Sequence, residues 1–293
     1  MKPAPAPADR FSNARAWFDG RQMVIATRHA KERVIAPIME VELGIKCFVM
    51  EDFDSDAFGT FTGEISRMDD PFSTARKKCL KAMELSACNL GLASEGSFGA
   101  HPNLFFVPAD DEIMVLIDKQ NGFEISARVM STNTNYSSAV VSVYQELVDF
   151  ANRTGFPSHA LILHAEANKN KIHKGINTWE TLKAAFDDLL RDNQRVQVST
   201  DMRACHNPSR MQVITETAQQ LVSRVQGLCP KCSAPGFGVT ELRKGLPCTA
   251  CKSPTRTVIA SLSTCQACGH KHELKYPGGY EMEDPMYCDV CNP

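Results

Sequence analysis

The sequence predicts an α/β protein, a mixed sheet flanked by helices, with a small cysteine-rich domain behind it. Three observations carry this reading. Apolar runs of strand length alternate with helix-periodic stretches over residues 21–228. The first such unit is strand–helix–strand, which favours a parallel pair with a right-handed crossover. From Cys229 onward the composition changes, and cysteines recur as CxxC pairs.

In chain order, residues 1–20 open with a Pro/Ala-biased segment (MKPAPAPADR) and read as a disordered arm without the apolar core of a signal peptide. Residues 22–27 (QMVIAT) are a compact apolar strand. Arg28, His29, Ala30, Lys31 and Glu32 lead into a helix to residue 43 that Pro37 should kink or break and Gly44 should cap. Residues 45–50 (IKCFVM) are the second strand. Residues 51–70 form a long acidic loop with glycines, of a length that suggests function. Glu64, beside Gly63, is its candidate carboxylate; a solvated loop glutamate is the plainer reading.

The stretch 74–102 (TARKKCLKAMELSACNLGLASEGSFGAHP) is the centre of the expected site. Ala75, Cys79, Leu80, Ala82 and Met83 recur at helical spacing, with Arg76, Lys77, Lys78 and Lys81 largely on other faces. Residues 89–93 fit a buried central strand. Ser94, Glu95, Gly96 and Ser97 read as a polar turn at its C-terminal end, where open α/β sheets bind ligands. Gly96 lets backbone approach a ligand closely. A tight turn with a solvated glutamate is the competing reading.

Further strands are expected at 104–108, 112–118 and, past the Asn121-Gly122 turn, 123–130. Residues 138–152 have helical periodicity, 159–164 are a strand, and Thr178 caps a helix over 181–190. A strand at 195–199 delivers Thr200, Asp201, Met202 and Arg203. Asn207-Pro208 then opens a long helix to about residue 228. Arg203 and Arg210 flank that helix start, where free N–H groups favour an anion. An Asp201–Arg203 pair holding the loop is the alternative. The cleft is expected where the strands ending at Thr27, Ala93 and Ser199 release their loops.

The tail spans residues 229–293 and holds four pairs: Cys229/Cys232, Cys248/Cys251, Cys265/Cys268 and Cys288/Cys291. Each CxxC supplies two thiolates from one turn, and four pairs complete two tetrahedral Cys₄ zinc sites of structural type. The sequence is therefore expected to end in a two-zinc ribbon-like domain. Residues 254–264 look like a hairpin between the second and third pairs, which favours an inner site from those two and an outer site from the first and fourth. Sequential and crossed pairings also fit the spacing.

The totals exclude some classes. Net charge is −2 with 43% hydrophobic residues, so no global attraction to nucleic acid or anionic membrane is expected. No apolar run is long enough to span a bilayer. A cytoplasmic location is expected.

The segments ATRHAKE (26–32), FGTFTGEI (58–65), ASEGSFGAHP (93–102) and TDMRACHNPSRM (200–211), with the four-CxxC tail, resemble an uncharacterised bacterial domain-of-unknown-function family with a zinc-ribbon-like C-terminus. The first hundred residues also resemble the inosine/xanthosine triphosphate pyrophosphatase and Maf-like fold. Thr27 and Lys31 stand at that family's phosphate loop, with His29 near its asparagine; the Thr74–Lys78 segment and Glu95-Gly96 match its helix and acidic strand end. That resemblance implies metal-assisted phosphoanhydride hydrolysis. Glu95 and Glu64 would hold Mg²⁺ or Mn²⁺, and Lys31 with Arg76 or Lys77 would neutralise phosphate charge. Thr27, Arg28, His29, Ser94, Gly96, Ser97, Asp201, Arg203 and Arg210 complete the expected ligand-binding set. The expected activity is hydrolysis of a nucleotide or other phosphorylated small molecule. The alternative is a zinc-ribbon protein that binds RNA, DNA or a protein partner without catalysis. Cysteine catalysis by Cys205 beside His206 is a third reading.

Overall fold

The structure, a computed structural model, describes residues 13–50, 70–165 and 171–293. The loop carrying Glu64 lies outside the described residues. The packed fold begins ahead of Arg21: a short 3-10 turn, Ala14–Trp17, presents Ala14 and Phe18 to the main core.

Strand β1 (Gln22–Ala26) pairs in parallel with β2 (Lys46–Val49) and with β3 (Leu90–Ala100). Strand alternation sends Met23 and Ile25 to one face and Val24 and Ala26 to the other, all buried. Helix α1 (Glu32–Leu43) covers the first face through Ile35, Met39 and Leu43. Helix α2 (Pro71–Leu85) covers the second through Ala75, Cys79, Ala82 and Met83. Asp70 starts α2 by accepting the Phe72 and Ser73 N–H groups, with Pro71 at the first helical position. The order β2-β1-β3, with α1 and α2 on opposite faces, makes the C-terminal ends of β1 and β3 a topological switch point.

Antiparallel β4 (Pro108–Asp118) and β5 (Phe123–Ser131) complete this five-stranded mixed sheet. The chain then builds a second sheet. Strand β6 (Ser138–Val141), α3 (Tyr144–Arg153), β7 (Leu161–Ala165), β8 (Ile172–Ile176), α4 (Trp179–Leu190) and β9 (Val196–Thr200) follow in turn, with sheet order β6-β9-β7-β8. Its helices share a separate core with Val196 and Val198. Helix α5 (Pro208–Gln226) returns to the first sheet and lays Ile214, Ala218, Leu221, Val222 and Val225 beside α1.

Several local expectations change. Helix α1 runs unbroken across Pro37. Strand β3 continues through Ser94–Ser97 to Ala100, so the expected polar turn is the outer half of a strand. Residues 104–107 are not a strand, and β4 begins at Pro108. Residues 138–141 are strand β6, and the helix starts only at Tyr144. Strand β9 belongs to the second sheet, so only β1 and β3 end at a common crevice.

The tail forms one antiparallel sheet, β10-β11-β12 (Val239–Lys244, Val258–Thr264, Lys271–Lys275). A CxxC pair precedes and follows each strand.

Candidate functional site

Two constellations stand out: a buried charge cluster at the switch point, and the cysteine tetrads of the tail.

At the switch point β1 has ended, and the β1–α1 loop turns back over the open edge of β3. His29 and Ala30 in this loop both take left-handed backbone angles, φ 68 and 61, a costly conformation for residues with a Cβ. The loop delivers Lys31, which is 6% exposed, to β3. Its Nζ donates to Ser94 Oγ (3.0 Å) and to the Ser94 carbonyl (3.3 Å), and lies 4.0 Å from Glu112 Oε2. Burial pulls the Lys31 ammonium down to about 8.

Glu95 points to the opposite face of β3, 3% exposed, and is ion-paired with Lys78 of α2. On the Lys31 face, Arg210 from the first turn of α5 donates from Nε to Glu112 Oε1 (2.7 Å) and from Nη1 to the Met202 carbonyl. Both side chains of the Arg210–Glu112 pair are fully buried, and the guanidinium lies 5.1 Å from the Phe98 ring centroid. Asp110, two residues before Glu112 on the same face of β4, is 0% exposed. Neither of its oxygens accepts a hydrogen bond, nor does Glu112 Oε2. Burial, then the neighbouring Glu112, pushes the Asp110 carboxyl up to about 8.

Gly96 makes this packing possible. It sits opposite Glu112 in the ladder, and a Cβ there would overlap Glu112 Oε1 and come within 2.7 Å of Arg210 Nη2. Gly96→Ala is therefore expected to destabilise the protein by ~1–3 kcal/mol, read by urea denaturation. Wild-type stability in that variant would show that the ion pair does not need the glycine.

The other expected site residues fall as follows. Thr27 is half-buried and donates to the Arg28 carbonyl (3.0 Å). Arg28 is exposed in the same loop. Arg76 pairs with Glu124 of β5 (2.9 Å), and Lys77 is exposed on α2; Lys78 is the α2 cation that reaches Glu95. Ser97 is half-buried further along β3. Asp201, fully buried, accepts from Arg203 Nε and Nη2 and from the Gly175 N–H. Sequence reasoning missed Lys78, Asp110 and Glu112. Partial desolvation pushes the Cys205 thiol up, against an activated thiolate.

In the tail, Cys229, Cys232, Cys265 and Cys268 bring their Sγ atoms within 4.8 Å of one another, and so do Cys248, Cys251, Cys288 and Cys291. The first and third pairs thus share one site, and the second and fourth the other. The nested pairing favoured by the spacing is corrected for a physical reason. The segment between the second and third pairs is the single strand β11, which holds its two ends apart. All three strands run between the sites, so the chain visits them alternately.

The sulfur spacings also fit a tetrahedral ion. Cys229–Cys268 is 3.8 Å, Cys232–Cys265 3.6 Å, Cys248–Cys291 3.9 Å and Cys251–Cys288 3.5 Å. A tetrahedron with metal–sulfur bonds of about 2.3 Å has edges of about 3.8 Å. Disulfide sulfurs would lie at about 2 Å. Hydrogen bonds from Ser253 push the Cys251 thiol down to about 6, and the His270 N–H pushes Cys268 down to about 7. Burial pushes Cys232 up to about 12, and Cys251 does the same to Cys291. Filling the tetrads must therefore release protons.

No helix among the described residues is long and apolar enough to cross a membrane. A family model described as a domain of unknown function (DUF6671) matches residues 78–293. A comparison with curated proteins finds no match.

Proposed function

We infer that this chain, which belongs to the DUF6671 family of domains of unknown function, is a metal-dependent hydrolase of a nucleotide or other phosphorylated small molecule, stabilised by two structural zinc ions. One observation carries the catalytic reading: the strained β1–α1 loop holds Lys31 at the switch point, among buried carboxylates. Zinc is favoured for the tetrads by four thiolates at tetrahedral spacing.

Phosphate contact is assigned to Lys31 and the β1–α1 loop. The ammonium projects from the start of α1, where helix N–H groups add favourable potential for an anion. Its bonds to Ser94 fix its position before a ligand arrives, so little reorganisation accompanies charge development on a phosphoryl group. A divalent ion, Mg²⁺ or Mn²⁺, would polarise the phosphate and position water. Glu95 fits poorly as its ligand, because Lys78 already holds Oε1 on the far face of β3.

The test is a panel of nucleoside triphosphates with Mg²⁺, scored by thermal shift and phosphate release. Lys31→Met is expected to keep the fold and lower kcat/KM by at least about 100-fold. If no member of the panel stabilises the protein or is hydrolysed, the catalytic reading falls.

A second reading, partner binding by the tail, is favoured by the exposed Met282, Met286, Tyr287 and Val290 next to the second tetrad. A protein partner suits this patch better than nucleic acid. Arg243 is already paired with Glu241 and Glu273, and Arg256 with Asp289, and the tail's seven Lys and Arg are nearly balanced by six Asp and Glu, so it offers little net positive charge.

A further inference from the structure

We propose that Asp110 and Glu112 form a site for a hard divalent cation of the Mg²⁺ or Mn²⁺ class, with Lys31 and Arg210 facing the phosphate that shares it. This deepens the phosphoryl-hydrolase reading and rests on it for the phosphate, though not for the cation.

The argument starts from three oxygens. Asp110 Oδ1, Asp110 Oδ2 and Glu112 Oε2 are buried and accept no hydrogen bond. Both residues are 0% exposed. Buried carboxylate oxygens are costly to leave unsatisfied, and native interiors rarely do so. Strand alternation puts both carboxylates on one face of β4, opposite Phe98 and Gly96 of β3. They are acceptor-only groups when ionised and stand as neighbours in one buried row, so the ligand that completes them brings positive charge or donors. Mg²⁺ takes oxygen ligands, keeps several waters, and is typically held by one or two carboxylates together with phosphate. Two carboxylates with three open oxygens match that requirement, and coordinated waters would donate to the remainder.

The two neighbouring cations set the condition for binding. Lys31 Nζ is 4.0 Å from Glu112 Oε2, and Arg210 Nε is 2.7 Å from Oε1. Burial and Glu112 hold Asp110 largely protonated at neutral pH, so Glu112 alone faces two cations; a divalent ion must displace the Asp110 proton, and entering alone it would leave excess positive charge. A polyanionic phosphate entering with it restores the balance. Cation and phosphate should therefore bind cooperatively, each tightening the other by the same factor. Glu95 is excluded from this site because it faces the other side of β3 and is held by Lys78.

The experiment is a Mn²⁺ titration of the zinc-loaded full chain, followed by electron paramagnetic resonance, with and without inorganic pyrophosphate. Filled tetrads keep Mn²⁺ away from the cysteines. The expected result is one Mn²⁺ site, tightened at least fivefold by pyrophosphate. Asp110→Asn should weaken it at least tenfold, and Glu95→Gln should leave it within twofold. Asn matches the shape of Asp and adds no charge, so the variant should fold, which circular dichroism checks. The inference is overturned if the wild-type chain binds no Mn²⁺, if Asp110→Asn binds it as tightly as wild type, or if Glu95→Gln loses as much as Asp110→Asn. Mn²⁺ bound through Asp110 without any nucleotide hydrolysis would refute the hydrolase reading alone. Hydrolysis with unchanged Mn²⁺ affinity in Asp110→Asn would refute this site alone.

Discussion

Cys265→Ser is expected to unfold more than the tail. Cys265 and Cys229 are part of the main core, in one buried cluster with Leu221, Val222 and Val225 of α5. Gly236 in the same segment abuts Ile125 of β5, and Gln266 accepts the Glu124 N–H at 3.2 Å. The first tetrad therefore closes one end of the five-stranded domain as well as its own loops. Structural zinc supplies ~10–16 kcal/mol in small peptides, so losing even a third of that should lower Tm by roughly 7–20 °C in a domain of this size. Bound zinc should fall from two to one per chain. Cys291→Ser should also halve the zinc, yet leave the main transition within a few degrees, since none of its tetrad joins that core. Differential scanning calorimetry with metal analysis checks both. Equal effects from the two variants would show that the tetrads contribute to the core alike.

Arg210→Met should cost about 3–5 kcal/mol, because it leaves the Glu112 carboxylate buried without its hydrogen-bonded partner. The Met202 carbonyl loses a donor as well. The double variant Arg210→Met/Glu112→Met should recover much of the loss, since replacing both charges removes the unpaired group. Urea denaturation of the two variants measures this. A double variant no more stable than the single would show that Arg210 acts through contacts other than this ion pair.

The parallel core was legible because its strands are apolar on both faces and its helix starts carry clear signals, as at Asn207-Pro208, where Asn207 accepts the Arg210 N–H. The outer half of β3 was not. A sequence such as Ser-Glu-Gly-Ser reads as a turn when strands are expected to be buried by apolar neighbours, and here charges and a lysine do the burying. Yet a signal was present in β4. Asp110 and Glu112 alternate in phase with Met114 and Leu116, so they occupy a core-facing row. Lys78 was equally visible, spaced three and four residues from Ala75 and Ala82 on the buried side of α2. In both cases a charged residue sits in phase with the apolar row of its element. Of the second sheet, β7 and β9 were legible, whereas β6 was absorbed into the helical pattern that follows it and β8 is short and only partly buried, with His173 and Lys174 at its centre. The tetrad pairing hung on whether residues 254–264 turn back or run straight, which depends on long-range strand pairing.

The alternation of the tetrads along the chain has a further consequence. The loop closed by the first ion spans residues 229–268 and the loop closed by the second spans 248–291, so the two overlap across β11. An ion leaving either end slackens the same three strands that present thiolates at the other. Occupancy at one end should therefore raise affinity at the far end, roughly 20 Å away along a six-residue strand. A chelator should meet a stubborn first departure and an easier second one.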